Sequence, residues 1–230
     1  MQTLALFDLD NTLLPIDSDV SWANFLISLN VVDPDWYAKR NDYFYVEYCK
    51  GTLDIFEFLD FQLAPLARFP RAQLMAWREQ FIETVIRPHL HPAALELVAR
   101  HQRDGHICAI VTATNAFITS PIAKEFGIEH LIATEIEVGA DGNFTGKPSG
   151  VPSFREGKVT RVAQWLALQD RGFENFAASY FYSDSFNDLP LMARVTDPVA
   201  VNPDARLEEH ARRQGWQCLN LFARPAGTGT

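Results

Sequence analysis

The chain of 230 residues carries 29 acidic against 20 basic side chains, a formal net charge of −9, with 47% hydrophobic and 12% aromatic residues. Such a composition excludes an intrinsically disordered chain and supplies apolar mass for a sizeable core. The acid excess, with no basic run of five or more residues, argues against nucleic acid and anionic membranes as partners, so an anionic ligand must be held by a local device: a metal, a lysine or helix N-termini.

The N-terminal MQTLALFDLD meets acid by residue 8 and does not read as a signal peptide. Leu4 to Phe7 reads as a buried strand of a parallel sheet, with Asp8 and Asp10 just past its carboxyl end. From Val20 to Ile86 aromatics recur at helical spacing, with breaks at Asp33-Pro34, Gly51, Pro65 and Pro70, which predicts three or four helices and no strand. After Pro88 helices and strands alternate. Helices are expected over Pro92–Arg103, Ala116–Phe126, Gly157–Leu168, Leu189–Arg194 and Asp204–Arg213. Strands are expected over Ile107–Val111, Leu131–Thr134, Ser179–Tyr182 and Val199–Val201, with a hairpin over Ile136–Thr145 turning at Asp141-Gly142.

This alternation predicts an α/β fold: a Rossmann-like parallel sheet with helices on both faces, and ligands beyond the carboxyl ends of the strands. Residues 1–14 and 87–223 form the expected core, residues 15–86 an inserted helical cap joined near Pro15 and Pro88, and residues 224–230 a flexible tail. No apolar run approaches the roughly 20 residues of a membrane helix. Cys49, Cys108 and Cys218 are odd in number and dispersed, which reads as free thiols in a reducing, cytoplasmic compartment.

Four sets of polar residues fall at or beyond predicted strand ends or at a helix start. In Asp8-Leu9-Asp10-Asn11-Thr12 two carboxylates two residues apart can share a cation and a substrate. Thr112 ends an apolar run and can open an anion nest of backbone N–H groups, with Ala113 next to it. Lys158 stands at a helix start in Arg155-Glu156-Gly157-Lys158. In Ser183-Asp184-Ser185-Phe186-Asn187-Asp188 two acids four apart can supply a metal ligand and an acid behind it. Oxygen ligands without His or Cys favour a hard cation such as magnesium.

In this order, these motifs resemble the haloacid-dehalogenase superfamily, in its phosphoserine-phosphatase-like branch. The resemblance covers the whole chain and matches the helical insert to that branch's cap. It implies a magnesium-dependent phosphatase of small phosphomonoesters, phosphoserine-like metabolites, acting through an aspartyl-phosphate. Asp8 would be the nucleophile and Asp10 the general acid and base. Asp8, the Asp10 carbonyl and Asp184 would hold Mg2+, with Asp188 orienting its waters. Thr112, Ala113, Lys158 and Asn187 would take the phosphate oxygens. Lys147, in a Gly-Pro-rich loop, is the weaker candidate lysine. An acid two residues after the nucleophile favours a phosphatase, or a mutase or phosphotransferase on the same scaffold, over dehalogenases and ion pumps.

Where the branch places a Glu nine residues after the nucleophile, this chain has Asp17, with Asp19 nearby. Asp17 is the candidate specificity residue, and either acid could simply cap a helix before Val20. The substrate-binding cap arginine has no clear counterpart; Lys39 and Arg40 qualify only by charge. His89 and His91, flanked by prolines, read as a stiff hinge rather than a metal pair. A receiver-like signalling domain also uses acids, Thr and Lys, but puts its key Asp after the third strand. A small phosphorylated metabolite is the expected partner, for a monomer or a homodimer.

Overall fold

The computed structural model describes residues 2–222, so the expected tail at 224–230 lies outside the described residues. Among them seven strands form one sheet in the order β4-β3-β2-β1-β5-β6-β7. β1 (Thr3–Phe7) lies at its centre, parallel to β2 (Ile107–Asn115) on one side and to β5 (Ala178–Ser183) on the other. β6 (Asp197–Val201), expected over Val199–Val201, extends one edge in parallel, and beyond it runs a short β7 (Gln217–Leu219) that the sequence reading lacks. β3 (His130–Val138) continues the other edge in parallel, and β4 (Phe144–Ser149) closes it antiparallel.

Side chains of β1 alternate between two cores. Ala5 and Phe7 face one apolar cluster, while Leu4 and Leu6 face the other. Helices α7 (Glu156–Ala167), α8 (Leu189–Met192) and α9 (Ala205–Gln214) cover the Leu4 face. Helices α5 (Pro92–Arg103) and α6 (Ala116–Glu125) cover the Phe7 face. Both faces being covered, the central strands are largely apolar until their carboxyl ends, as a buried parallel sheet requires.

Between β1 and α5 run four α-helices, α1 (Ser18–Ser28), α2 (Pro34–Lys50), α3 (Ile55–Ala67) and α4 (Arg71–Phe81), the last continued by a π-helical segment at Ile82–Ile86 and a 3-10 turn at Arg87–His89. Asp17, Asp33 and Asp54 cap the first three through their carboxylates, each cap being worth about 0.5–2 kcal/mol. Gly51 ends α2 at φ 78°, a left-handed conformation that glycine takes without strain. Leu26, Tyr37, Phe44, Phe61 and Phe81 pack into the same apolar cluster that lines the Phe7 face. The helices therefore sit on the sheet rather than apart from it.

Three boundaries differ from the sequence reading. Pro65 does not break a helix but lies inside the last turn of α3, where its missing N–H forgoes one bond, to the Phe61 carbonyl, and the helix ends two residues later. The expected strand at 131–134 and the first hairpin arm are one strand, β3; Glu135 and Glu137 alternate outward and carry it on. β2 runs through Thr112 to Asn115, with a register shift against β3, and Asn115 caps α6.

Candidate active site

β1 ends at Phe7, and the Asp8 amide still donates to the Tyr182 carbonyl at 2.9 Å. The nucleophile candidate is thus anchored on the rigid centre of the sheet, where β1 and β5 run side by side. A tight turn follows, with Asn11 at φ 58° and the Thr12 and Leu13 amides bonded back to the Leu9 carbonyl. That turn folds the fully buried Thr12 hydroxyl to 3.3 Å from Asp8 Oδ2 and 3.2 Å from Asp184 Oδ1. The Asp184 amide donates to the same hydroxyl at 3.0 Å. Thr12, only a motif letter in the sequence, ties the ends of β1 and β5 together.

Lys158 rises from the first turn of α7 and is 3% exposed. Its Nζ donates to Asp8 Oδ1 and to Asp188 Oδ2, both at 2.7 Å, and the Ser183 hydroxyl donates to Asp188 Oδ2 at 2.6 Å. Burial works against the ammonium, but Asp188 and Asp8 outweigh it and hold its pKa above the ordinary lysine value. The preceding loop is tightly shaped. A Cβ on Gly157 would stand 2.0 Å from the Pro152 carbonyl oxygen, and Arg155 occupies φ 50°, ψ −121°, a strained conformation for a side-chain-bearing residue. Lys147, by contrast, pairs with Asp60 at 2.8 Å on the exposed surface.

Asp10 points across from Asp8. Its Oδ1 accepts from the Ser18 amide at 2.7 Å and its Oδ2 from the Thr114 hydroxyl at 2.8 Å. The Thr114 amide in turn donates to Thr112 Oγ1 at 3.1 Å. Extension of β2 past Val111 thus delivers Thr112, Ala113 and Thr114 beside the two acids. Burial, with Asp17 adding, pushes Asp10 up to about 7 despite the Ser18 and Thr114 bonds. Burial likewise lifts Asp8 to about 7; Lys158 opposes, and Asp188 and Asp10 add. Burial, with Asp8 and Asp188 adding, holds Asp184 well above the usual carboxylate range.

These residues open onto one cavity of about 350 Å³. Asp8, Asp10, Thr112, Ala113, Lys158, Asp184 and Asp188 line its floor, and Asp17, Asp19, Asp42, Phe44, Tyr45, Tyr48, Phe58 and Gln62 line its helical walls. Asp17 does cap α1, accepting from the Val20 amide at 2.9 Å, and lines the cavity as well. Asn187 falls elsewhere than expected. Its Oδ1 accepts from Arg155 Nε and Nη2 at 3.2 and 2.9 Å, its Nδ2 donates to the Tyr48 carbonyl at 3.3 Å, and it is not among the described residues lining the cavity. Neither Lys39 nor Arg40 lines it; Arg40 pairs with Glu57 at 3.0 Å and lies 4.5 Å from the Phe44 ring centre. The His89 ring reaches the Val85 carbonyl, while His91 accepts from the Ala93 amide, so the two rings share no ligand position.

Among the described residues no three acidic, imidazole or thiolate side chains cluster as a metal cage. A magnesium ion needs fewer, because it keeps several waters and takes one or two carboxylates. Asp8 and Asp184 converge on the Thr12 hydroxyl, and the four carboxylates on the floor are matched by the one ammonium of Lys158, which pairs with Asp8 and Asp188, leaving three formal negative charges. The donor set therefore fits a hard divalent cation.

Residues 5–193 match the family model of haloacid dehalogenase-like hydrolases. A histidinol-phosphatase of Neisseria meningitidis is 46% identical over 221 residues, which cover 96% of this chain and all of the relative. A crystal structure of a Bordetella pertussis protein of unknown function superposes with a TM-score of 0.91 at 49% identity, covering 96% of this chain and 100% of that one. A substrate-bound phosphoserine phosphatase shares the fold, with a TM-score of 0.68 at 17% identity, over 95% of this chain and 93% of that one.

Proposed function

The chain belongs to the haloacid dehalogenase-like hydrolases and is a phosphoric monoester hydrolase, and we propose that its substrate is a small amino alcohol phosphate without a carboxylate, histidinol phosphate being the best fit. One observation carries this reading. Seven carboxylates line the cavity, those of Asp8, Asp10, Asp17, Asp19, Asp42, Asp184 and Asp188, and the single cation among the lining residues described is Lys158, which faces Asp8. A phosphoserine carboxylate would enter among acids with no partner, and an unpaired buried charge is strongly disfavoured. An ammonium group would find Asp17 and Asp19. The Neisseria relative, similar over its whole length, bears a name in agreement.

In the reaction we propose, an Asp8 carboxylate oxygen attacks phosphorus as the bond to the alcohol oxygen breaks. Asp10, at about 7, holds a proton near neutral pH and gives it to the leaving alkoxide. The Asp10 carboxylate then takes a proton from water, whose oxygen attacks the aspartyl-phosphate; the bond to Asp8 breaks and phosphate leaves. Lys158 favours the carboxylate form of Asp8 against the burial that raises its pKa and meets a phosphate oxygen, and the Thr112–Thr114 backbone lies where the others would rest. Magnesium, held by Asp8, Asp184 and the Asp10 carbonyl, would screen the charge of the phosphoryl group. The four helices act as a lid over the strand ends and exclude water.

A panel of phosphate esters tests the substrate. With magnesium, kcat/KM for histidinol phosphate should exceed that for phosphoserine by about 10² or more, because a site of buried acids rejects an unpaired carboxylate. Excess chelator should abolish turnover of both. Preference for phosphoserine would overturn the reading.

A further inference from the structure

Gln62 has no role in the chemistry above, yet it is one of the more constrained side chains of the cavity. It sits on the inner side of α3, 4% exposed, and among the described residues its amide nitrogen has no hydrogen-bond partner. Leaving such a buried donor unanswered is costly. Its other end is fixed: the Tyr37 hydroxyl, from α2, donates to Gln62 Oε1 at 2.5 Å. Burial, with Asp19 and Asp17 nearby, keeps the Tyr37 phenol protonated and therefore a donor. The carbonyl of the amide is thus committed to Tyr37, and the two N–H groups of Gln62 are left for whatever enters the cavity that Gln62 lines.

Asp19 lines the same cavity and is also under-used. It is 6% exposed, and among the described residues its carboxylate accepts only one long bond, from Asn115 Nδ2 at 3.5 Å. Phe44 and Phe58, packed edge to face with centroids 5.3 Å apart, contribute apolar wall to the same cavity. A donor without an acceptor, an acceptor without a strong donor, and aromatic walls are together complementary to a flat ring that carries one nitrogen lone pair and one N–H. We propose that Gln62 and Asp19 form a subsite for an imidazole-type ring, Gln62 donating to the lone-pair nitrogen and Asp19 accepting from the ring N–H, with Tyr37 as the residue that orients the Gln62 amide. This rests on the preceding reading of the cavity as a phosphatase site for amino alcohol phosphates and names the ring such a substrate carries.

The test uses product-like inhibitors, so that it does not depend on which ester is the best substrate. Histidinol and leucinol share the amino alcohol and differ in the side chain, imidazole against isobutyl. Each is titrated as an inhibitor of p-nitrophenyl phosphate hydrolysis by the wild type, Gln62→Leu and Tyr37→Phe, with circular dichroism melts to establish that each variant is folded. Wild type should bind histidinol at least about tenfold more tightly than leucinol, the value of one or two neutral hydrogen bonds. Gln62→Leu should erase most of that gap by weakening histidinol alone, and Tyr37→Phe should reduce it by freeing the amide to turn. Should Gln62→Leu fail to fold, Tyr37→Phe carries the test, since the amide remains and only its orientation is released. Equal inhibition by the two alcohols in the wild type, or an undiminished gap in the folded variants, would overturn the subsite. If histidinol phosphate is a poor ester but the gap is present and Gln62-dependent, the substrate reading fails and the ring subsite stands. If it is a good ester and the gap ignores both variants, the reverse holds.

Discussion

The floor and the helical walls of the cavity handle charge in opposite ways. On the floor, Lys158 bridges Asp8 and Asp188 at 2.7 Å each, Ser183 answers Asp188, and Thr12 lies between Asp8 and Asp184. Each carboxylate there has an assigned partner, and the positions are fixed by the ends of two neighbouring strands. On the walls, Asp17, Asp19 and Asp42 share a cavity with no cation of their own, and Gln62 holds an unanswered amide. The floor is organised before any ligand arrives, as catalysis by preorganised charge requires. The walls are organised for a ligand of complementary charge, which makes them the place where one hydrolase of this fold differs from another.

The largest effects should come from the floor. Asp8→Asn should form no phosphoenzyme with any ester and lose at least about 10⁴ in turnover, as nucleophile deletions do. Asp10→Asn should part company with it. A nitrophenolate leaves with little need of an acid, so this variant should still be phosphorylated but hydrolyse the intermediate about 10² to 10⁴ slower. Rapid quench and peptide mapping by mass spectrometry should then find an acyl phosphate on Asp8; phosphate on any other residue would rule the covalent scheme out. The two lysines give the next contrast. Lys158→Ala should lose about 10² to 10³ in kcat, while Lys147→Ala, which breaks an exposed pair with Asp60, should stay within about twofold. Removing Lys158 also strips a partner from two buried acids, so rates are compared below the variant's melting temperature. The opposite ranking would assign the phosphate to the wrong lysine.

The sequence disclosed the floor and concealed much of the walls, for a physical reason. A buried parallel strand is a short apolar run, and polar residues at its carboxyl end stand out against it, which is how Asp8, Asp10, Asp184 and Asp188 could be found. The same contrast misplaced the end of β2. Thr112, Thr114 and Asn115 are polar, which reads as a strand end at Val111, yet all three are buried, and β2 continues to Asn115 with Thr114 bonded to Asp10. Asn187 was legible as part of a motif, but its bonds to Arg155 and Tyr48 come from a loop and a helix distant in the chain. Gln62 and Asp42 carry no local signal at all. On an amphipathic helix a polar residue is ordinarily solvated, and only the packing of α2 and α3 over the strand ends turns these two toward a common cavity. Asp17 was legible twice over, as a cap and as a specificity residue, and the structure leaves both open because it caps α1 from within the cavity lining.

Asp17→Asn separates those two roles at a smaller scale. Asparagine caps a helix nearly as well as aspartate, so stability should change little. Losing the charge should lower kcat/KM for an ammonium-bearing ester about tenfold relative to p-nitrophenyl phosphate, the range of a hydrogen bond to a charged group. A parallel fall on both esters would reduce Asp17 to a cap.

The smallest effect concerns how the walls are held to the floor. The last turn of α2 meets the loop after β5 and the first turn of α9 through three bonds: the Tyr48 hydroxyl donates to Ser185 Oγ at 2.6 Å, the Tyr48 carbonyl accepts from Asn187 at 3.3 Å, and the Cys49 carbonyl accepts from Arg206 at 3.4 Å. Arg155, in its strained conformation, fixes Asn187 from the other side. Ser185 and Asn187 flank Asp184 and Asp188 in sequence, so a lid that lifts must break contacts made by the loop that carries two floor acids. Tyr48→Phe removes one of the three bonds and keeps the ring. A neutral hydrogen bond is worth about 1 kcal/mol net, so the closed population, and kcat/KM with it, should fall by no more than about fivefold. The signature is uniformity: the loss should be the same for p-nitrophenyl phosphate, histidinol phosphate and phosphoserine, whereas Asp17→Asn changes their order. Ser185→Ala removes the Tyr48 bond and also the acceptor of the Asn187 amide at 3.2 Å, so its loss should be at least as large and equally uniform, and the double variant should lose little beyond Ser185→Ala alone. Tyr48 also lines the cavity, so the experiment can fail in an informative way. A loss that differs between esters would mean that its hydroxyl reads the substrate, and that closure is held by Asn187 and Arg206 without it.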